Sequence, residues 1–297
     1  MPRVSICIPT YNRRGLVGRA IESALTQSET DIEVILADDG STDGTLEVAA
    51  AYTDRRFRIE KNEPHLGLAA NFNRCLEIAQ GEYVKFLCDD DLIYPDAVAR
   101  LADGLDRFPE ATFATSAWNW IDADGALLRT TRLLRNAPPG GTLVDLRQIV
   151  AASWLYRNRI GNPSDVLLRK SALTRLHFNE KYPQMMDWYL WLRLLKRGPL
   201  VYFPQVLSAM RTHEASLSAR NRPLAQSASD LVNISTEFAD PGSELHGAVG
   251  NFALKRLQLL CFIRAFQIAL GNAGRRDWPP VRRNLGIVKS ALKGLAS

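Results

Sequence analysis

Residues 32–40 read IEVILADDG and residues 83–91 read YVKFLCDDD, so that each apolar, β-rich run is followed at once by aspartates. A third run, VSICIP at residues 4–9, has the same character. Runs of this kind are typical of strands buried in a parallel sheet. Segments with apolar residues at helical spacing alternate with them, at 14–27, 42–51, 68–79 and 96–108. The alternation predicts an α/β fold with a mostly parallel sheet and helices on both faces.

The pattern is looser in the second half of the chain. Strands are predicted there at 112–121 and 165–168, and a helix at 187–197. Helical character returns from about residue 231. We therefore predict one α/β domain over 1–220, with two halves at 1–110 and 111–220, followed by a helical C-terminal extension over 221–297.

Composition excludes several classes of protein. Of 297 residues, 46% are apolar and 23% are charged, which is typical of a folded chain rather than a disordered one. No run of about eighteen apolar residues predicts a membrane span, and the N-terminus lacks the pattern of a secretory signal. The four cysteines and four histidines are dispersed, which argues against a zinc site or a disulfide framework. We expect a cytoplasmic protein.

Positive charge is concentrated at the C-terminal end. The net charge is +5, yet residues 241–297 alone contain nine Lys or Arg and two Asp or Glu. Such an excess indicates that this region binds an anionic partner, either membrane headgroups or nucleic acid. The alternative is that it is only the solvated face of a helix. The apolar stretch 251–270, interrupted by basic residues, favours peripheral contact with an anionic membrane, on the inner face of the cytoplasmic membrane. We expect no nucleic-acid partner.

Aspartates follow two predicted strands, at Asp38-Asp39 and at Asp89-Asp90-Asp91. Ligands of an open α/β sheet bind beyond the carboxyl ends of its strands. Adjacent carboxylates repel one another, so such a cluster is favoured where a cation or hydrogen-bond donors occupy the site. One cluster alone is more typical of a turn or a helix cap. Two clusters at one sheet edge predict a site for Mg²⁺ or Mn²⁺ with phosphates.

No GxGxxG motif follows the first strand, and no GxxxxGK[ST] motif occurs in the chain. These absences exclude a dinucleotide fingerprint and a P-loop. A bound nucleotide would therefore have its diphosphate held by metal and side chains. Asp38 or Asp39 is suited to accept hydrogen bonds from its base or ribose.

Three segments together resemble family 2 glycosyltransferases of the GT-A fold: VSICIPTYNR at 4–13, ADDGSTDGT at 37–45 and GEYVKFLCDDDLIYP at 81–95. The resemblance is weaker at 162–164, 186–193 and 211–213. It implies a metal-dependent, inverting transfer of a sugar from a nucleotide-diphosphate donor, a UDP-sugar, to a glycan or lipid-linked glycan. It also implies that the domain over 1–220 is catalytic, with a nucleotide-binding half (1–110) and an acceptor-binding half (111–220). The implied setting is cell-surface polysaccharide synthesis, and the implied cofactor is Mn²⁺ or Mg²⁺.

The resemblance also implies roles for individual residues. Those implied for the nucleotide are Pro9, Thr10, Tyr11, Asp38, Asp39, Arg74, Asp89 and Asp90. The triplet is similar to the family's DxD element, which implies Asp90 and Asp91 as metal ligands, with the principal one left open. His213 matches a histidine that approaches the metal or diphosphate in some relatives. His65 and Cys88 stand where the family usually has asparagine and aspartate.

Asp187 matches the aspartate of the family's ED element and is implied to be the catalytic base, although Met186 replaces the preceding glutamate. An acceptor hydroxyl is a poor nucleophile, so a carboxylate must take its proton during attack. At the start of a helix Asp187 could instead be only a helix cap. Trp188 is our candidate for stacking on an acceptor sugar. The alternatives are a sugar-phosphate nucleotidyltransferase and a non-catalytic nucleotide-sugar-binding protein.

Overall fold

The computed structural model describes residues 1–151, 158, 160–214, 216, 226–248 and 250, with the single positions 255, 259 and 263. The chain divides into two compact units. The first unit comprises Met1–Val144, Arg159–Phe178 and Arg197–Thr212, and the second comprises Asp145–Asn158, Asn179–Lys196 and His213–Ser297. The predicted domain boundary at 220 stays a prediction.

The described part of the chain contains ten strands, all within the first unit. They are β1 (Val4–Thr10), β2 (Ile32–Asp38), β3 (Phe57–Lys61), β4 (Tyr83–Phe86), β5 (Leu92–Ile93), β6 (Phe113–Ile121), β7 (Leu127–Thr131), β8 (Thr142–Val144), β9 (Val166–Arg169) and β10 (Leu200–Arg211). The helices are α1 (Val17–Leu25), α2 (Thr45–Ala50), α3 (Leu68–Ile78), α4 (Ala97–Arg107), α5 (Leu146–Ala151), α6 (Met186–Arg197) and α7 (Gln226–Glu237).

The ten strands form one sheet whose main order is β3-β2-β1-β4-β9-β6-β10-β5, with β7 paired to β6 and β8 paired to β10. The first four strands pair in parallel, as predicted. Beyond β4 the sheet is mixed, because β9 runs antiparallel to both β4 and β6 while β6 and β10 are parallel. The α/β prediction is confirmed, and the sheet is mixed rather than mostly parallel.

Apolar burial explains why the N-terminal strands form. Ile6, Ile8, Val34 and Leu36 are fully buried and belong to the hydrophobic core cluster of the first unit. β-Branched residues suit the pleated surface of a strand. Burying one such side chain contributes about 1.5–3 kcal/mol. Residues of α1 and α4 complete this core.

The strand order reverses at β1. From β1 the chain crosses to β2 on one side and later returns to β4 on the other. The point at which the strand order reverses is where open α/β sheets bind their ligands. Here it lies between Thr10, the last residue of β1, and the residues that follow β4. Asp38 ends β2, in register with Thr10.

The segment before α6 contacts both α6 and α7 in the second unit. The ring centroids of Tyr182, in that segment, and Tyr189, in α6, lie 4.5 Å apart. The Asp230 carboxylate accepts a hydrogen bond from the backbone N–H of Gln184 at 2.8 Å.

In the part of the chain that the structure describes, no helix is both long and apolar enough to span a bilayer. The basic apolar stretch 251–270 lies outside the described residues, apart from positions 255, 259 and 263.

Candidate active site

Asp39 holds the loop that leads into α3. Its Oδ1 accepts hydrogen bonds from the backbone N–H of Leu66 at 2.8 Å and from Asn62 Nδ2 at 3.1 Å. Its Oδ2 accepts one from the backbone N–H of Gly67 at 2.9 Å. Gly67 has a φ of +90°, a backbone conformation that favours glycine. Both carboxylate oxygens of Asp39 therefore hold the loop before α3 in place.

Asp38 sits beside it and is 1% exposed. Its Oδ2 accepts hydrogen bonds from the backbone N–H groups of Gly40 and Ser41 at 3.2 and 3.1 Å. Among the described residues nothing donates to its Oδ1. A buried carboxylate oxygen without a donor is costly. This oxygen is the feature at the end of β2 that most clearly calls for a donor from a ligand or from water.

Tyr11 and His65 form an exposed aromatic pair. Their ring centroids lie 4.6 Å apart with an interplanar angle of 43°. The Nδ1 atom of His65 lies 2.8 Å from the backbone oxygen of Asp39 and 2.9 Å from its Oδ2. These contacts hold the imidazole ring, whose side chain is 53% exposed. The pair offers an aromatic surface next to the predicted nucleotide residues.

Residues 88–91, which we call the acidic loop, follow β4. Asp89 and Asp90 are half-buried, whereas Asp91 is 5% exposed. Burial and the neighbouring Asp90 raise the pKa of Asp89 to about 7, although Arg13 opposes the shift. The Arg13 Nε atom lies 3.3 Å from Asp89 Oδ1. A cation bound at the loop would favour the ionised form of these carboxylates.

Asp91 is anchored on both of its oxygens. Ser164 Oγ donates to Oδ2 at 2.6 Å, and the backbone N–H of Arg211 donates to Oδ1 at 2.9 Å. Burial and Asp90 raise the pKa of Asp91 well above its usual range. The side chain of Asp91 therefore fixes the acidic loop to the turn before β9 and to the end of β10.

A buried cation lies under the loop. Lys85 is 1% exposed, and its Nζ donates to the carbonyl oxygens of Phe86, Ser164 and Val166. Burial lowers the pKa of Lys85 to about 8. Burial raises the pKa of nearby Asp165 to about 6, and its carboxylate accepts hydrogen bonds from Ser208 Oγ and the Asn162 backbone N–H. This buried network ties the end of β4 to the start of β9.

Apart from Arg74, the predicted nucleotide residues of the first unit gather at one edge of the sheet. Thr10 and Asp38 are paired in register, and β2 and β4 both neighbour β1. Strands in a sheet are about 4.8 Å apart, so the ends of β2 and β4 lie about 10 Å from each other. Asp39 and the acidic loop therefore flank the end of β1. Pro9 and Thr10, buried, and Tyr11, exposed, lie between them.

Other predicted residues lie elsewhere. Arg74 is on the exposed side of α3, where its Nη1 pairs with Glu77 at 3.1 Å. Trp188 in the second unit is 1% exposed, which leaves no ring face open to a sugar and contradicts its predicted stacking role. Asp187 is the second residue of α6, where its Oδ1 accepts a hydrogen bond from the Trp188 backbone N–H and its Oδ2 one from Asn158 Nδ2 at 3.3 Å. His213 also belongs to the second unit, and its backbone oxygen accepts a hydrogen bond from Ser216.

Sequence reasoning assigned no role to Ser164, Lys85 or Arg211. Ser164 and Arg211 lie in segments that only weakly resemble the family, and Lys85 is one charge within an apolar strand. A charge inside a buried strand is unusual unless it is paired, so Lys85 carried a detectable signal.

Within the described residues, no three side chains of His, Cys, Asp or Glu converge as a set that could hold a metal ion. The acidic loop supplies hard oxygen donors of the kind that Mg²⁺ and Mn²⁺ prefer. These donors fit a cation whose coordination is completed by phosphate oxygens of a bound nucleotide, rather than an all-protein metal cage.

The family model of glycosyl transferase family 2 matches residues 5–160. Protein MT1568 of Mycobacterium tuberculosis is 31% identical over 226 residues, which cover 74% of this chain and 70% of the relative. A chondroitin synthase of Escherichia coli is 27% identical over 96% of this chain, which spans only 37% of that longer relative.

Solved structures give the same fold. TarS of S. aureus, in complex with UDP-GlcNAc, has a TM-score of 0.60 at 17% identity, covering 98% of this chain and 92% of the TarS chain. The mannosyltransferase PcManGT of Pyrobaculum calidifontis, in complex with GDP-Man and Mn²⁺, has a TM-score of 0.58 at 18% identity, covering 99% and 87%. These likenesses confirm the predicted GT-A architecture.

Proposed function

Because the chain belongs to glycosyl transferase family 2, we propose that it transfers a sugar, with inversion, from a UDP-sugar to a glycan or lipid-linked glycan. One observation carries the proposal: buried aspartates at the ends of β2 and β4 flank the end of β1, at the switch point of the sheet. The likeness to a chondroitin synthase supports a role in polysaccharide synthesis.

The nucleotide is proposed to lie over the end of β1. The unpartnered Oδ1 of Asp38 can accept a hydrogen bond from a base or ribose. Tyr11 and His65 offer an aromatic surface on which a base can stack. The structural neighbours solved with UDP-GlcNAc and GDP-Man support a nucleotide-sugar donor.

We propose Asp90 as the principal metal ligand of the acidic loop. Both oxygens of Asp91 already accept hydrogen bonds from the protein, which suits an anchoring role for that residue. His213 stays a proposed second ligand on the resemblance alone. A divalent cation, Mn²⁺ or Mg²⁺, would supply charge stabilisation for the departing diphosphate. The Mn²⁺ in the PcManGT complex supports this assignment.

Asp187 is the proposed catalytic base. It would take the proton of the acceptor hydroxyl as that oxygen attacks the sugar. Inversion requires a base and a leaving group on opposite faces of the sugar, as in inverting glycosidases. Asp187 lies in the first turn of α6, where the helix dipole favours the ionised carboxylate that a base requires.

The experiment that tests the function compares Asp187→Asn with wild type in UDP binding and in sugar transfer or donor hydrolysis. Asparagine caps a helix as well as aspartate does, so a capping role alone would leave turnover unchanged. We expect turnover to fall about 100- to 10,000-fold while UDP binding is retained. Asp145→Asn is the matched control, because Asp145 caps the start of α5 through the Gln148 backbone N–H at 2.7 Å.

Unchanged turnover in Asp187→Asn would exclude Asp187 as the base. No turnover in wild type with any nucleotide sugar, despite UDP binding, would favour a non-catalytic binding protein instead. Formation of a nucleotide sugar from a sugar phosphate would favour a nucleotidyltransferase.

We also propose that the basic stretch within residues 241–297 contacts an anionic membrane surface, next to a lipid-linked acceptor. The support is its surplus of seven positive charges interleaved with apolar residues. Co-sedimentation with anionic vesicles should be reduced when residues 251–297 are removed. Equal sedimentation of the two proteins would exclude the proposal.

A further inference from the structure

The acidic loop is held from one side by the turn before β9. Ser164 is fully buried at the centre of a 3₁₀ turn, Pro163–Asp165. Its hydroxyl donates to Asp91 Oδ2 at 2.6 Å and accepts a hydrogen bond from the Cys88 backbone N–H at 3.0 Å. A single hydroxyl group therefore holds the first and the last residue of the loop.

The turn that carries Ser164 is itself fixed. The backbone N–H of Asn162 donates to Asp165 Oδ2 at 2.8 Å, which closes a capping box. The Ser164 carbonyl oxygen also accepts a hydrogen bond from the Nζ atom of Lys85, a buried residue of β4. The hydroxyl of Ser164 thus has little freedom to move away from the loop.

Arg211, at the end of β10, holds the loop from the other side. Its backbone N–H donates to Asp91 Oδ1 at 2.9 Å, and its Nε donates to the Asp90 carbonyl oxygen at 3.0 Å. Its Nη1 also donates to the carbonyl oxygens of Asp122 and Ala123 at 3.0 and 2.9 Å. The guanidinium is thereby fixed by the β6–β7 turn and contacts the backbone of Asp90 itself.

We infer that Ser164 and Arg211 are positioning residues that clamp the acidic loop and so orient the Asp90 carboxylate toward a divalent cation. The inference rests on the proposed function. Asp90 lies between the two clamped points, so its backbone cannot turn without breaking hydrogen bonds to Asp91 or to its own carbonyl oxygen. Groups that orient a metal ligand in this way commonly change metal affinity about 10–100-fold when they are removed.

The test measures the Mn²⁺ concentration that gives half-maximal Mn²⁺-dependent UDP binding, by calorimetry, in Ser164→Ala and Arg211→Lys. The matched controls are Ser116→Ala, a buried serine whose hydroxyl donates to the Ala117 carbonyl oxygen, and Arg169→Lys, whose guanidinium donates to the Leu105 and Ala111 carbonyl oxygens. Each variant's melting temperature is compared with that of its control, and kcat at saturating Mn²⁺ is measured alongside.

We expect both variants to need about 10–100-fold more Mn²⁺, with metal-free UDP binding unchanged, and Ser164→Thr to restore the wild-type response. Wild-type Mn²⁺ dependence in both variants would overturn this inference and leave the proposed function standing. Equal loss of UDP binding with and without Mn²⁺ would also overturn it, because that result indicates a general loss of structure. A wild-type protein whose UDP binding ignores Mn²⁺ would remove the proposed metal site and this inference with it.

If the melting temperature of Ser164→Ala is far below that of Ser116→Ala, the Mn²⁺ response of Arg211→Lys becomes the deciding measurement. This variant changes a different contact to the same loop. Arg211→Lys keeps the positive charge and the backbone hydrogen bond to Asp91. A change in its Mn²⁺ response therefore reports the contact with Asp90.

Discussion

The carboxylate of Asp39 accepts a hydrogen bond from the backbone N–H of Gly67 at 2.9 Å, across 28 positions of the chain. This contact joins the end of β2 to the start of α3. Together with the Leu66 N–H, it makes Asp39 the acceptor for two successive backbone donors. The same side chain therefore anchors the loop before α3 and lines the proposed nucleotide site.

Asp39→Asn should lower both stability and UDP affinity. An amide has only one acceptor oxygen, so a donor that now faces the Asp39 carboxylate would face the amide nitrogen instead, at a cost of about 1–3 kcal/mol. Thermal denaturation and UDP titration measure the two effects. Asp103→Asn is the control, because Asp103 is 60% exposed in its ion pair with Arg3 and should matter little. Equal melting temperatures for Asp39→Asn and wild type would contradict the anchoring role.

The stability of the protein should depend on pH through Asp165. Burial raises the pKa of this carboxyl to about 6, so the folded protein binds its proton more tightly than the unfolded chain does. Its stabilising contribution is therefore present below about pH 4 and is lost as the pH rises through 6. The free energy of unfolding of Asp165→Asn, relative to wild type, should rise by up to about 3 kcal/mol between pH 4 and pH 7.

Asp54→Asn is the control for that pH series. Hydrogen bonds from Arg56 lower the pKa of Asp54 to about 2, so its contribution is present above about pH 4 and is lost as the pH falls. The difference in the free energy of unfolding between this variant and wild type should therefore stay nearly constant from pH 4 to pH 7. A constant difference between Asp165→Asn and wild type from pH 4 to pH 7 would refute the raised pKa.

Packing of α4 on the sheet should be sensitive at Gly104. A Cβ atom at this position would overlap the ring of Phe203, which is 4% exposed. Alanine favours helix formation by about 1 kcal/mol over glycine, whereas overpacking a core costs about 1–3 kcal/mol. Gly104→Ala should therefore lower the melting temperature. Gly15→Ala, with open space around the new methyl group, should not, and a stabilised Gly104→Ala would show that α4 can move away from the sheet.

Local pattern predicted β1, β2 and β4, because each is a short apolar run. It placed Asp38, Asp39 and the triplet at one edge, since parallel strands share the edge at which they end. It did not predict the start of α2. The predicted helix begins at Thr42, but the backbone N–H of Thr42 donates to Asn12 Oδ1 at 2.8 Å, and α2 starts at Thr45. That contact spans 30 positions and has no local signature.

The second half of the sheet was harder to predict for the same reason. Strand β9 pairs with β4 and β6 in antiparallel register, and only its tertiary partners set that direction. Ser164 touches Asp91 across 73 positions, so its role depends on the placement of β9 and not on any neighbouring residue. Trp188 was misassigned because an aromatic residue on an amphipathic helix is equally suited to a core.

The most direct measurement of the central claim is a calorimetric titration of UDP into wild type and Asp90→Asn, each with and without Mn²⁺. Asp124→Asn, an exposed aspartate of the same unit, serves as the control. The account predicts that Mn²⁺ strengthens UDP binding by at least about tenfold, or about 1.4 kcal/mol, in wild type and the control, and not in Asp90→Asn. UDP binding that is indifferent to Mn²⁺ in wild type, or an undiminished Mn²⁺ effect in Asp90→Asn, would contradict it.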